Sequence, residues 1–402
     1  MRDCRPDFPM FAAADAPVYL DNAATTQKPQ AVLDALHAYY TAQNANIHRG
    51  AHRLSRLATD LHEQARADAA QFIGAASADE VVFTSGCTAG INLAAMVLGF
   101  AGMVGQGDEI IVTTDSHHSN IVPWQMLCGR TGAQLRAVPL TAELAFDMAA
   151  YLSMLTPSTR VVAVPYISNA LGAVNPVREI IAAAKRNRAD CIVLVDGAQA
   201  VGHAPVDVSA LGCDFYAFSG HKVYAPTGTG VLWGRKELLE QLPPWQGGGE
   251  MIEEVTFART TYNKLPFKYE AGTPNIAGNI ALAAALRYVR EIGVADIAAH
   301  ERALTDRLYD GLSALDGVRV LGPRGNRGAL VSVVADGVHH YDLGMLLDQM
   351  NVAVRTGHHC CQPLMQALGI TGTVRYSVAL YNSADDVDAA LRATERALRM
   401  LR

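Results

Sequence analysis

The feature that most constrains the fold is an alternation of short, almost wholly apolar runs with helix-length segments from about Glu80 onward. The runs are rich in β-branched residues, a pattern typical of strands buried on both faces of a sheet. Separated by helices, such strands predict an α/β fold whose mainly parallel sheet has helices on both sides. The runs are EVVFT (80–84), EIIVT (109–113), RVVAVPYI (160–167), CIVLVDGA (191–198), DFYAFSG (214–220) and GTGVLWG (228–234).

The pattern changes after Pro274. Helical stretches there lead to VRVLGP, GALVSVVA, VAVR and VRYSVAL, and a last helix is predicted from Asp385 to about Leu401. These features indicate a smaller α+β domain, to which the N-terminal segment adds a piece. We therefore predict a large domain over 21–273 and a small domain formed by 1–20 and 274–402.

Composition excludes several classes of protein. A formal charge of -6 gives no basic surface for nucleic acid. The N-terminus lacks the apolar core of a signal peptide, and the longest apolar run, 91–105, is too short to span a bilayer. Seven scattered cysteines form no disulfide framework and suit a reducing compartment. We expect a soluble, cytoplasmic protein.

In open α/β sheets, ligands bind at the carboxyl ends of the strands. The stretch FTSGCTAGIN (83–92) ends a strand and begins a helix near Thr88. Free N–H groups and the helix dipole at such a turn favour an anion, for example a phosphate. The alternative is an ordinary capped loop. The motif is neither a Walker A loop nor G-x-G-x-x-G, so nucleotide binding gains no support.

Two charged residues follow neighbouring apolar runs. Asp196 ends VLVD, and a carboxylate there is costly to bury unless it meets a cation, such as a protonated pyridine nitrogen, or several donors. The alternative role is a cap of the next turn. Lys222 follows DFYAFSGH, and a lysine in that setting loses its proton easily enough to form a Schiff base. The alternative is a solvent-facing lysine on a loop.

The pair His117–His118 follows EIIVT. We interpret His117 as a ring that stacks on a planar cofactor and carries protons, and His118 as an ordinary polar loop residue. A phosphate turn, a stacking ring, a buried carboxylate and a lysine together suit pyridoxal phosphate, whose phosphate, ring face, nitrogen and aldehyde each need one partner.

Eight stretches extend this pattern over almost the whole chain: YLDNAATTQKP (19–29), NIHRGAHRLS (46–55), HHSNIVPWQM (117–126), ISNALGAVNP (167–176), VDGAQAVGHAPVDV (195–208), FSGHKVYAPTGTG (218–230), YEAGTPN (269–275) and RTGHHCCQPLM (355–365). In them the chain resembles the SufS-type (group II) cysteine desulfurases, class V aminotransferase-like enzymes of pyridoxal-phosphate fold-type I. The resemblance implies a seven-stranded, mostly parallel sheet in the large domain and a homodimeric, cytoplasmic enzyme.

The resemblance also implies roles for individual positions. The reactive group comprises Lys222 as the Schiff-base lysine, Asp196 as the partner of the pyridine nitrogen and His117 as the stacking ring. Cofactor or substrate contacts fall to Asn169 and Gln199, and the substrate carboxylate to Arg375, whose planar fork suits bidentate binding. The phosphate-binding set is Thr88, the Ala89 amide, Ser219 and His221, together with Thr273 reaching the neighbouring subunit.

RTGHHCCQPLM raises the question of a metal site. Successive residues of an extended segment point in opposite directions, so four adjacent side chains do not readily converge on one tetrahedral ion, and we predict no metal. The resemblance instead makes Cys360 the nucleophile that takes sulfur from L-cysteine as a persulfide and leaves alanine. We hypothesise that His358, His359 and Arg355 help to hold Cys360 as a thiolate, because cations lower thiol pKa values; the alternative is that the histidines only shape the loop.

Cys361 stands where the family usually has a small residue, and we expect it to fill space; the alternatives are that it receives the persulfide or forms a strained vicinal disulfide. The short interval between Met350 and Leu364 implies transfer of sulfur to a SufE- or SufU-like acceptor, for iron–sulfur cluster assembly. Two alternatives remain: a selenocysteine lyase on the same scaffold, which would not need Cys360, and an idle scaffold that docks sulfur-transfer proteins. A class V transaminase is less favoured because it has no use for the cysteine loop.

Overall fold

The computed structural model describes all 402 residues. Its strands, in chain order, are β1 (Val18–Tyr19), β2 (Val81–Thr84), β3 (Glu109–Thr113), β4 (Gln134–Val138), β5 (Thr159–Pro165), β6 (Ile192–Asp196), β7 (Phe215–Ser219), β8 (Gly230–Gly234), β9 (Ile252–Val255), β10 (Thr260–Tyr262), β11 (Val318–Leu321), β12 (Leu330–Ala335), β13 (Val352–Ala353), β14 (Arg355–Gly357) and β15 (Thr373–Ser377).

The helices, in chain order, are α1 (Gln30–Ala38), α2 (Arg53–Phe72), α3 (Cys87–Phe100), α4 (Val122–Thr131), α5 (Met148–Met154), α6 (Val177–Asn187), α7 (Val208–Leu211), α8 (Lys236–Gln241), α9 (Ile276–Ile292), α10 (Val294–Ser313), α11 (His340–Gln349), α12 (Gln362–Leu368) and α13 (Ala384–Leu401). None of them combines the length and the apolar character that crossing a membrane requires.

The large sheet has seven strands in the order β2-β8-β7-β6-β5-β3-β4. Only β8 runs against its neighbours, so the predicted mostly parallel, seven-stranded sheet is confirmed. Side chains along each strand alternate between two buried clusters. In β6, Val193 and Val195 enter one cluster, whereas Ile192 and Leu194 enter the other. Because both faces are covered by helices, the inner strands are mainly apolar, whereas the edge strand β4 carries Gln134 and Arg136.

The smaller sheet is antiparallel, in the order β11-β12-β15-β14. It shares a core with α10, α11 and α13 through residues such as Leu304, Leu343 and Val387. Strand β1 pairs in parallel with β13, so the N-terminal segment joins this part of the molecule. The domain bounds of the sequence analysis stay a prediction, although α9 packs with the large sheet through Ala281 and Leu282.

The two sheets meet at the carboxyl ends of the large one. Strands β3, β5, β6 and β7 end there, and their following loops form one wall of a cleft. The opposite wall comes from β14, β15 and the loop that leads into α12. This is the edge at which open parallel sheets bind ligands.

Candidate active site

The cleft between the two walls has a volume of about 830 Å³, its open mouth included. The cleft is lined by Arg355 and His359 and by most of the predicted site residues. Of those, the cleft brings together Thr88, His117, Asn169, Asp196, Gln199, Ser219, His221, Lys222, Cys360 and Arg375. Thr273 does not line the cleft of its own chain and is exposed to solvent.

The turn between β2 and α3 is built to receive an anion. Gly86 has a φ of 147°, which favours glycine, and a Cβ there would lie 3.2 Å from Ser219 Oγ. The Cys87 N–H donates to Ser219 Oγ at 2.8 Å. The N–H groups of Thr88 and Ala89, in the first turn of α3, have no partner within the protein. They therefore remain available to a phosphate at the positive end of the helix.

Two further side chains complete this turn. Ser219 and His221 come from the end of β7, and His221 Nδ1 is buried without a hydrogen-bond partner. Burial and the neighbouring Lys222 lower the pKa of His221 to about 4, so the ring is neutral at physiological pH. A buried ring nitrogen without a partner is unfavourable unless a ligand meets it.

Asp196 ends β6 and is 5% exposed. One carboxylate oxygen, Oδ1, accepts the Ala198 N–H at 3.0 Å and the Cys87 S–H at 3.3 Å. Its other oxygen receives no protein hydrogen bond, and Asp196 is one of the residues that line the cleft. The arrangement leaves one carboxylate oxygen for a cationic donor such as a pyridinium N–H. Cys87 is a partner that sequence reasoning missed, because its contact depends on packing between β6 and α3.

Lys222 closes a 3₁₀ turn, Gly220–Lys222, directly after β7. The N-terminal segment fixes this turn, since the Thr26 N–H donates to the His221 carbonyl at 3.0 Å and the Tyr224 N–H donates to Thr26 Oγ1 at 2.9 Å. Burial lowers the pKa of Lys222 below its ordinary value, while Asp196 acts in the opposite direction. A larger share of neutral amine makes the lysine a better nucleophile.

His117 follows β3 and lines the cleft. Burial, followed by the positive charge of Lys222, lowers the pKa of His117 to about 4. Its Nδ1 accepts the Ser119 N–H at 3.1 Å and lies 2.8 Å from Ser119 Oγ. In the neutral ring the proton is therefore assigned to Nε2, and Ser119 sets the tautomer.

Arg375 lies in β15 and is 2% exposed. Its Nη1 donates to the Asn169 carbonyl at 2.7 Å, Nη2 lies 3.5 Å from Asp21 Oδ1, and Nε is buried without an acceptor. Burial lowers the pKa of Arg375 to about 10, so it stays charged at neutral pH. Arg355 pairs with Arg375 across β14 and β15 and lies 3.6 Å from Asp21 Oδ2. A substrate carboxylate would thus meet two guanidinium groups, with Asp21 behind them.

The loop between β14 and α12 carries Cys360 into the cleft. His359 and Cys360 have φ values of 52° and 56°, a left-handed backbone that L-residues adopt at a cost. Within the loop, the Cys360 N–H donates to His358 Nδ1 at 3.1 Å. From the large wall, Asn169 Nδ2 donates to the His359 carbonyl at 2.7 Å, and the His118 N–H donates to the Cys360 carbonyl at 2.7 Å.

Asn169 is therefore engaged with the cysteine loop. Its Oδ1 accepts the Cys361 S–H at 3.2 Å, so both ends of its amide bind small-domain groups. The contact to cofactor or substrate that the sequence implied for Asn169 stays a prediction. Cys361 is fully buried beside Ala170 and Leu171, and its neighbour Cys360 lines the cleft, so the two thiols have different surroundings.

The structure corrects one part of the thiolate hypothesis. His359 is buried, with Nε2 2.7 Å from Thr373 Oγ1, and burial lowers the pKa of His359 to about 2. A neutral imidazole supplies no positive charge, so His359 does not hold Cys360 as a thiolate electrostatically. The expectation failed because burial at position 359 cannot be read from a run of polar letters. Arg355 remains as a cation in the cleft lining.

The class of the protein follows from its architecture: a large α/β unit with a seven-stranded, mostly parallel sheet and a smaller unit enclose a cleft at the strand ends, as in enzymes of fold-type I. Residues 18–390 match the aminotransferase class-V family. The chain belongs to that family.

Within this family, the chain is similar to cysteine desulfurases. A probable cysteine desulfurase of Vibrio cholerae is 49% identical over 96% of this chain and 94% of its own length. The crystal structure of the Escherichia coli cysteine desulfurase CsdA superposes with a TM-score of 0.92 at 41% identity, covering 99% of this chain and 98% of that one. A cysteine desulfurase from Thermococcus onnurineus gives a TM-score of 0.95 at 39% identity, covering 100% and 99%. The resemblance to cysteine desulfurases is confirmed; the SufS-type subgroup stays a prediction.

Proposed function

We propose that this chain is a cysteine desulfurase that converts L-cysteine to L-alanine and holds the sulfur as a persulfide on Cys360. One observation carries the proposal: Lys222, His117 and Asp196 on the large wall share one cleft with Cys360 and Arg375 on the small wall. The first three suit a pyridoxal cofactor. The last two suit a sulfur-bearing amino acid.

The unpartnered groups of the cleft fit pyridoxal 5'-phosphate. The free amides of Thr88 and Ala89 and the unpaired His221 Nδ1 would hold its phosphate. The free oxygen of Asp196 would hold its ring nitrogen, and His117 would lie against its ring, with Gln199 and Ser219 also in the lining. When bound, the cofactor supplies an electron sink for the α-carbon of the substrate, the carbon that carries its amino group.

The small wall provides the means to orient the substrate. Arg375 is fixed by its bond to the Asn169 carbonyl and has a buried Nε that lacks an acceptor. A carboxylate that reached this group would satisfy the unpaired donor and gain a charge-assisted contact. The substrate's carboxylate is then anchored on the small wall, and its amino group faces Lys222 on the large wall.

Two groups of the large wall can move protons. Burial lowers the pKa of both residues, so neutral Lys222 can accept a proton, whereas neutral His117 carries its proton on Nε2. We assign the removal of the proton on the substrate's α-carbon to Lys222, because the amino group attached to that carbon would lie beside Lys222. His117 Nε2, whose proton position is set by Ser119, is the second site for proton exchange.

The sulfur step belongs to Cys360. Its Sγ attacks the substrate sulfur, a new S–S bond forms, and the substrate's C–S bond breaks. The carbon keeps the bonding electron pair and takes a proton to become the methyl group of alanine. L-cysteine and the Cys360 thiol thus give L-alanine and the Cys360 persulfide, and no outside oxidant or reductant is needed.

Two partners follow from this proposal. Thr273 is exposed and outside its own cleft, which supports a homodimer in which it reaches the phosphate of the neighbouring subunit. The short loop between β14 and α12 supports delivery of the persulfide sulfur to a SufE- or SufU-like acceptor for iron–sulfur cluster assembly. An acceptor encoded in the same organism should raise the turnover measured with L-cysteine. No increase with any such acceptor would contradict this part.

The deciding experiment measures alanine and sulfide from the cofactor-loaded protein given L-cysteine and a thiol reductant. Wild type and Cys361→Ala should form both products, whereas Cys360→Ala should form neither. Cys361 is the matched control because it is adjacent but buried away from the cleft. Cleavage of L-selenocysteine without Cys360, with L-cysteine untouched, would favour a selenocysteine lyase. No cleavage of either amino acid would favour an idle scaffold.

A further inference from the structure

The sequence predicts an ordinary polar loop residue at His118, yet in the structure its two hydrogen bonds meet the proposed nucleophile Cys360 and Gln362, two residues further along the chain. Its N–H donates to the Cys360 carbonyl at 2.7 Å. Its ring Nε2 accepts the N–H of Gln362, the first residue of α12, at 3.0 Å. The ring also lies 5.7 Å, centroid to centroid, from the ring of His358. His118 thus spans the loop from the residue before Cys361 to the residue after it.

We propose that His118 is a positioning residue that latches the Cys360 loop of the small wall to the large wall, so that Cys360 Sγ is presented to the substrate sulfur. This inference rests on the proposed role of Cys360 and deepens it. His118 does not itself line the cleft, so it acts through the loop and not on the substrate.

The loop needs such a latch because of its backbone. His359 and Cys360 are consecutive non-glycine residues with positive φ, a conformation that persists only when its surroundings enforce it. Inside the loop, one main-chain bond, from the Cys361 N–H to the His358 carbonyl at 2.8 Å, opposes relaxation. A second bond within the loop joins the Cys360 N–H to His358 Nδ1 at 3.1 Å, and Asn169 and His118 add restraints from the large wall.

The two contacts of His118 differ in what they require. Any residue except proline provides the N–H that meets the Cys360 carbonyl. Only a side chain with an acceptor at the position of Nε2 satisfies the Gln362 N–H, which has no helical partner at the start of α12. Burial and the neighbouring His358 lower the pKa of His118, which keeps Nε2 free to accept. The contact with Gln362 therefore requires the acceptor nitrogen of the His118 ring and not the bulk of the ring.

Three variants separate the role of the acceptor nitrogen of His118 from that of the bulk of its ring. His118→Phe keeps a ring without an acceptor, His118→Gln places a carbonyl oxygen near the position of Nε2, and His118→Ala removes both. The first measurement is the rate at which iodoacetamide alkylates Cys360 in the cofactor-loaded protein without substrate, followed by peptide mass spectrometry. The second is kcat and KM for L-cysteine, with the visible absorbance of the cofactor as the check that the large wall is intact.

We expect Phe and Ala to raise the alkylation rate of Cys360 by about threefold or more and to lower kcat by about three- to tenfold, the effect of one lost hydrogen bond. KM should change less than kcat. In the Gln variant, the alkylation rate and kcat should both return most of the way to their wild-type values. Phe behaving as wild type in alkylation and kcat, or Gln behaving as Phe, would overturn the latch. If alkylation responds as expected but wild type forms no alanine, the proposed function fails and the latch stands.

Discussion

The two walls of the cleft are built in different ways. On the large wall, Asp196 ends a central strand and is paired in register with Pro165 on one side and Ala217 on the other. Lys222 follows the next strand within a single 3₁₀ turn. On the small wall, Cys360 lies in a loop with a strained backbone. Regular hydrogen bonding fixes the groups that suit a cofactor, whereas tertiary contacts hold the proposed nucleophile.

The difference matches what each wall would have to do in the proposed reaction. Groups that hold a cofactor perform best when their positions do not change, and strand ends provide that rigidity. A cysteine that takes sulfur and passes it on has to serve two partners in turn, and a loop provides that freedom. The walls are nevertheless joined, because Arg375, His359 and Cys360 all bond to main-chain or side-chain groups of the large wall.

The largest effect should come from the large wall. Lys222→Ala removes the amine proposed to bond the cofactor and to take the proton from the substrate's α-carbon, so alanine formation should fall by about a thousandfold or more, as for other nucleophile deletions. Borohydride should trap the cofactor on wild-type protein, and peptide mass spectrometry should place it on Lys222. Trapping on Lys28, whose pKa burial lowers to about 8, would contradict the assignment.

The next effect tests the charge at the strand end. Asp196→Asn keeps the shape of the side chain but cannot stabilise a pyridinium, so kcat should fall by about a hundredfold, comparable to losing one strong electrostatic contact in other active sites. Asp115→Asn is the matched control, because Asp115 is buried, lies outside the cleft lining, and has a pKa raised by burial. Equal losses in both variants would show that the effect is on folding.

The large wall was largely predictable from the sequence, for a physical reason. A strand buried on both faces must be apolar throughout, so a charged residue directly after it, such as Asp196 or Lys222, stands out. The seven-stranded sheet and the small α+β part were anticipated on the same grounds and by resemblance. The last helix, expected from Asp385, begins at Ala384 with Ser383 as its cap.

The small wall was less predictable. The contacts of His118, Asn169 and Asp21 join segments far apart in the chain, and nothing in their local sequence marks them. His359 was expected to carry charge, but its neutrality depends on burial against Thr373. Local patterns report strands and their ends; they do not report which loop packs on which.

The smallest effect concerns pH and the small wall. The pKa of His359 is lowered by burial to about 2, below the ordinary value near 6.5. Between these values the unfolded chain binds a proton that the folded chain does not, so the stabilising contribution of neutral His359 is full above about pH 6.5 and is lost progressively as pH falls below it. His359→Gln keeps an acceptor near Thr373 and removes the titration.

The measurement is urea unfolding of the cofactor-loaded protein at pH 5, 6, 7 and 8. Below pH 6.5, the free energy of unfolding of the Gln variant should fall less steeply than that of wild type, by up to about 1.4 kcal/mol per pH unit for one proton. Between pH 7 and 8 the two proteins should have equal slopes, which serves as the internal control. Equal slopes at pH 5 to 6 would mean that His359 is protonated in the folded protein and that the small wall does carry a positive charge beside Cys360.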